Sequence, residues 1–209
     1  MAVELENLYA EIDPEYGVAL LTKSCFHKMI GWIHMVEDMD FVPMLHGDEL
    51  VFNSGLNYVS EEWLKRYIEA LNKECAGGLM IAIREGKKIS QKIVDYCNEL
   101  EFPLFSATWE TPYIDIMRIF SVILLKNEQR DTNLSTALRN AIFFPDNEEL
   151  YVNYFEGNGF YRNLTYNVIV LSCNVYNTER GNERLNQIKK ELHYTLERRI
   201  IYEENNRLI

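Results

Sequence analysis

The chain has 209 residues, 47% of them hydrophobic, enough apolar material for one or two domains with a sizeable buried core. Its 32 acidic against 21 basic residues give a net charge of −11, the wrong sign for neutralising phosphates, so these residues are not expected to bind nucleic acid themselves. The four cysteines (Cys25, Cys75, Cys97, Cys173) form no Cys-x-x-Cys pair and lie in or beside apolar segments, which points to a reduced, cytoplasmic chain.

In chain order, the first informative stretch is Gly31 to Gly55. It has a strand-like start at Trp32, an acidic connector, and a Gly47-Asp48-Glu49 turn set within a strand expected from Val42–Pro43 through Val51–Phe52. Ser60 to Asn72 reads as a helix: Ser60 can cap it, Glu61 and Glu62 favour its positive end, and Trp63/Leu64, Tyr67/Ile68 and Leu71 recur at helical spacing. Gly77-Gly78 breaks that pattern, and Leu79 to Ile83 is an apolar run expected for a strand covered on both faces. After a turn at Glu85-Gly86-Lys87, Ser90 opens a second helix with Ile93/Val94, Cys97 and Leu100 inward. Phe102 to Ala107 gives another strand, with Pro103 at its start where a missing donor does least harm.

Thr111-Pro112 predicts a helix start, a capping hydroxyl followed by proline, with the helix running to about Lys126. Its Tyr113–Leu125 core is too short to span a bilayer and carries Asp115 and Arg118; Asp115 either forms an exposed helix pair with Arg118, the favoured reading, or is a buried carboxylate that demands a partner. Asn127 to Asn133 is polar and reads as a hinge. Beyond it, Leu134, Leu138 and Ile142 mark a short helix, and another is expected near Glu148 to Gly157. Tyr166 to Cys173 reads as a strand and Glu183 to Arg198 as a helix. Arg199 to Tyr202 with Arg207 to Ile209 reads as a hairpin whose second strand has only begun, as if the chain ended within a domain. Alternating strands and helices imply βαβ units. The expected fold is therefore α/β: residues 1–126 form a small mixed or parallel sheet flanked by helices, and residues 127–209 add linker helices and a partial second α/β unit.

Several motifs in order carry a family resemblance. They are Trp32–Glu37, the turn-strand Gly47, Glu49, Leu50, Val51, the triplet Asn53-Ser54-Gly55, the strand entry Cys75-Ala76-Gly77-Gly78-Leu79, then Pro103 and Trp109-Glu110-Thr111-Pro112-Tyr113. This order resembles the N-terminal sensory domain of PucR-type (purine catabolism) transcriptional regulators over roughly the first 125 residues. The later strand, helix and hairpin resemble, more weakly, the start of that family's GGDEF-like domain. The resemblance implies a ligand-sensing, oligomerising regulatory portion that is a homodimer, with DNA contacted through a C-terminal helix-turn-helix outside this sequence. The Gly-Gly-Asp-Glu-Phe signature is missing, so cyclic-dinucleotide synthesis has no support.

Ligands of α/β sheets bind at the carboxyl ends of strands, where loops and helix N-termini present N–H donors. Asn53, Ser54 and Gly55 fall there, as do Trp109, Glu110 and Thr111. Together they offer amide, hydroxyl, carboxylate and an aromatic face, suited to a planar polar heterocycle such as a purine. His34, Glu37, Asp38, Asp40, His46, Asp48 and Glu49 form the one dense polar cluster, but without metal-ligand spacing, so neither a metal nor a cofactor is expected. No serine has triad or elbow context, and no catalytic residue is assigned. Surplus apolar surface on Tyr113–Leu125 and Glu183–Arg198 points to a dimer interface through Phe120, Ile123 and Leu192. Two other readings stay open: a dimerisation module without a small-molecule ligand, and a small metal-dependent hydrolase built on the His34–Glu49 cluster.

Overall fold

The computed structural model describes residues 2–84, 86–172, 184, 188, 192, 200–204, 207 and 208. Residues Ala2–Asn127 form one compact unit and Glu128–Ile209 belong to another. In the first, strand β1 (Val3–Glu4) leads into helix α1 (Leu5–Ala10), followed by β2 (Ala19–Leu20), β3 (Met29–Ile30) and β4 (Trp32–Met35). Then come β5 (Glu49–Asn53), α2 (Glu61–Lys73), β6 (Gly78–Ile83), α3 (Gln91–Glu99), β7 (Leu104–Thr108) and the first half of α4 (Tyr113–Phe143).

The central sheet has five strands in the order β2-β7-β6-β5-β4. Strands β4 to β7 run parallel and β2 is antiparallel to β7 at the edge, which makes the α/β sheet mixed and flanked by helices. The alternation of side chains along a strand decides what each face buries. Val51, Leu79 and Ile81 point to one face, where Leu64, Tyr67, Ile68 and Leu71 of α2 and Ile93 and Cys97 of α3 cover them. Leu50, Phe52, Met80 and Phe105 point to the other, beneath Leu5 and Leu8 of α1 and Ile116, Phe120 and Leu124 of α4. Every residue of β6 is buried for that reason, as expected for an inner strand covered on both sides.

The local signals hold for α2, where the Ser60 hydroxyl accepts from the Trp63 N–H at 3.1 Å. Other expectations are corrected. Pro43 sits inside a 3-10 turn, Met39–Met44, so the strand begins only at Glu49. The Thr111 hydroxyl does not cap α4: it donates to the Tyr16 carbonyl at 2.7 Å and accepts from the Thr108 N–H at 3.0 Å. The hinge expected at Asn127–Asn133 is helical, and α4 is one helix of 31 residues. Phe120 is 1% exposed and packs on Phe52, with ring centroids 6.3 Å apart, and Ile123 packs against the same core. Phe120 is thus spent inside its own unit and is corrected as a surface contact, whereas Ile123 stays half-buried at the helix surface. Asp115 and Arg118 do form an exposed pair at 3.6 Å.

In the second unit, a 3-10 turn at Glu148–Leu150 and α5 (Val152–Glu156) replace the single expected helix. Among the described residues of the expected Tyr166–Cys173 strand, β8 (Leu171–Ser172) is in a ladder, and Cys173 lies outside the described residues. Strand β8 pairs with β10 (Arg207–Leu208), which also pairs with β9 (Glu203–Glu204). Val168, Ile169 and Val170 lie exposed ahead of β8. Most of the expected Glu183–Arg198 helix lies outside the described residues; Leu192 is half-buried. A cleft of about 960 Å³ in this unit is lined by Tyr151, Phe155, Phe160, Tyr166 and Ile169 among others, with Glu148 and Arg162 joined at 2.6 Å.

Candidate functional site

The carboxyl ends of β5, β6 and β7 lie along one edge of the sheet, with β6 in the middle. In register, Asn53 is level with Ile81, and Ile83 with Thr108, so the next residues along β6 and β7, Arg84 and Trp109, are neighbours. The Arg84 guanidinium lies over the Trp109 ring, 4.8 Å from its centroid, and Trp109 is 51% exposed. Arg84 was not among the residues singled out from sequence. Its signal was positional: a cation one step past a buried strand, level with an aromatic one step past the neighbouring strand.

Asn53, Ser54 and Gly55 flank β6 on the other side and are more occupied than the sequence reading supposed. Asn53 is fully buried. Its amide nitrogen donates to the Val36 carbonyl at 2.8 Å, and its amide oxygen accepts from the Gly55 N–H at 2.8 Å. A buried amide so engaged has little left for a ligand, and Asn53 therefore shapes the edge instead of presenting a contact. Ser54 donates twice to Glu37, from its N–H at 3.0 Å and its hydroxyl at 2.9 Å, and Asn57 reaches the Glu37 carbonyl at 3.0 Å. Gly55 has φ +72°, and a Cβ there would meet the Ala82 carbonyl oxygen at 1.9 Å, so this loop presses directly on the β6 backbone.

Tyr113 closes the site from the helix side. Its hydroxyl is 3.3 Å from both the Asn53 and the Met80 carbonyl oxygens, and its ring meets Phe52 edge-on with centroids 5.1 Å apart. One hydroxyl hydrogen shared between two carbonyls ties the start of α4 to the ends of β5 and β6 at once. Burial, with a smaller push from the Glu37 charge, holds the Tyr113 phenol far above its ordinary range, so it acts as a neutral donor. Burial likewise pushes Tyr67 up to about 12; its hydroxyl donates to the Val36 carbonyl beside Asn53.

The structure thus joins Trp109 to Arg84, with Glu110 exposed beside them, and joins Ser54 to Glu37. The His34–Glu49 cluster is dispersed. Glu37 is bound to Ser54, Asp38 accepts from the Asp40 N–H, and Glu49 is buried at the start of β5, accepting the His46 N–H at 2.7 Å. Among the described residues no group of three or more His, Cys, Asp or Glu side chains is placed to hold a metal ion.

No curated protein and no solved structure matches this chain. The model of the purine catabolism regulatory protein-like family matches residues 18–123, a span that contains all five strands of the central sheet and ends within α4. The chain belongs to the purine catabolism regulatory protein-like family, a family of regulators.

Proposed function

We propose that this chain is the effector-sensing portion of a cytoplasmic transcriptional regulator, that it binds a small metabolite of purine-related chemistry at the carboxyl edge of its sheet, and that it performs no catalytic turnover. The observation that carries this reading is the placement of α4. The helix starts at that edge, anchored by Tyr113 to Asn53 and Met80, and continues without a break from Tyr113 to Phe143, past the end of the first unit at Asn127. A ligand that shifts the strand ends or the Arg84–Trp109 stack therefore acts on the start of α4, through the Tyr113 contacts to Asn53 and Met80. Differential contact of this kind is what a population shift requires.

The net charge of −11 favours DNA contact through a segment outside these residues and not through the residues themselves. No described helix is long and apolar enough to cross a membrane. A thermal-shift screen of the whole chain with purines, ureides and amino acids tests the reading. Purine-related compounds should raise the melting temperature, and Trp109→Leu should abolish the rise. A full panel without any shift would count against it.

A second reading, an interaction module without a small-molecule effector, is favoured by the exposed Val168, Ile169 and Val170, at 75%, 62% and 56%. Under that reading, self-association at micromolar concentration would be indifferent to every metabolite and would be lost on Ile169→Glu.

A further inference from the structure

The loop after β6 carries three cations on an acidic protein, with Glu85 of the same loop lying outside the described residues. Arg84, Lys87 and Lys88 are all exposed on the loop after β6, whereas the chain as a whole carries −11. Arg66, Arg118 and Arg162 each pair with a carboxylate, of Glu62, Asp115 and Glu148 respectively. Among the described residues no carboxylate pairs with Arg84; its guanidinium rests on the Trp109 indole instead. A guanidinium laid on an aromatic ring keeps its N–H groups available, and its planar fork matches an oxyanion with two parallel hydrogen bonds. The exposed Glu110 carboxylate next along the chain can only accept, so it suits a ring N–H.

We infer that the effector is a planar heterocyclic anion, its oxyanion held in the plane of the Arg84 guanidinium, its ring extending in that plane over the Trp109 indole and a ring N–H directed to Glu110. This rests on the effector site proposed above and narrows its chemistry. A neutral heterocycle offers the ring without the charge, and a small carboxylate offers the charge without the ring; neither engages both halves of the stack.

Three probes separate the parts: orotate, a planar N–H heterocycle with a carboxylate; uracil, the same ring without the charge; and acetate, the charge without the ring. Binding to the whole chain is measured by calorimetry, with the fluorescence change of Trp109 taken as the difference between wild type and Trp109→Phe. Orotate should bind at least about tenfold more tightly than uracil or acetate, the scale of one charge-assisted contact. Arg84→Gln should remove that margin, bringing orotate down to the level of uracil in the same variant, and Arg84→Lys should restore only part of it. Equal binding of orotate and uracil, unaffected by Arg84→Gln, would overturn the anionic assignment while leaving the site standing. Binding of orotate that survives Trp109→Leu, or no binding by any probe, would overturn both this inference and the site. Circular dichroism of each variant separates loss of binding from loss of fold.

Discussion

Both oxygens of the Glu37 carboxylate are held by Ser54, one by its N–H at 3.0 Å and the other by its hydroxyl at 2.9 Å. This clasp ties the connector after β4 to the loop after β5, two segments that have no ladder between them at that point. Ser54→Ala keeps the N–H contact and loses the hydroxyl contact. Hydrogen bonds to charged groups contribute about 1.5–3 kcal/mol, less where the pair is partly exposed, so a loss of roughly 1–2 kcal/mol is expected in urea denaturation. An unchanged midpoint would show that the clasp contributes nothing.

Gly55→Ala should be far more damaging than its one added carbon suggests. The residue sits at φ +72° and the new Cβ would lie 1.9 Å from the Ala82 carbonyl oxygen, which belongs to the inner strand and cannot move aside cheaply. A loss of about 3 kcal/mol or more is expected, combining backbone strain with overpacking. Stability within about 0.5 kcal/mol of wild type would mean that the loop after β5 does not press on β6 as described.

The three cysteines among the described residues, Cys25, Cys75 and Cys97, should separate cleanly by reactivity. Cys75 is exposed, whereas burial pushes the Cys25 thiol up to about 11 and the Cys97 thiol up to about 12. At pH 8 a thiol reagent should modify Cys75 quickly and reach Cys25 and Cys97 only on unfolding. The same shifts give alkaline lability. Cys97 starts from 9.0 in the unfolded chain, so its contribution is full below that pH and is lost as pH rises towards about 12; Tyr67 follows from 10.0 over the window to about 12. Rapid modification of Cys97 in the folded protein would contradict its place between α3 and the sheet.

The continuity of α4 predicts how its middle responds to proline. Gln129 is exposed and helical, so Gln129→Ala should be nearly neutral, while Gln129→Pro removes a helical hydrogen bond and should cost about 3 kcal/mol. Equal tolerance of both would restore the hinge that the sequence implied.

That hinge shows where the sequence was legible and where it was not. The α2, β6, α3 and β7 segments were readable because one face or both are buried, so their apolar residues recur at the period of the element. Residues 127–133 gave no such signal, since a solvated helical segment needs no apolar stripe; yet Glu128, Gln129 and Arg130 are good helix formers. The opposite error occurred at Tyr166–Val170, where β-branched residues suggested a strand. Among the described residues there, Leu171 and Ser172 find a ladder partner and residues 166–170 do not, because strand propensity reflects a pleated, half-buried setting more than a property of the residues alone. At the site, the loops after β5 and β7 were identified correctly as strand ends, but sequence could not show that Asn53 spends its amide on Val36 and Gly55. Nor could it show Arg84 meeting Trp109, because that contact depends on the β6–β7 register.

The central claim, that the carboxyl edge senses an effector and passes the event into α4, is tested most directly by hydrogen exchange of the whole chain with and without a bound metabolite. Slowed exchange at residues 53–58, 84–88 and 109–127 is the predicted result, with the α4 amides responding together as one cooperative element. Protection confined to the aromatic cleft around Tyr151, Phe155 and Phe160, with the strand ends and α4 unchanged, would place the sensing site in the second unit and contradict the account.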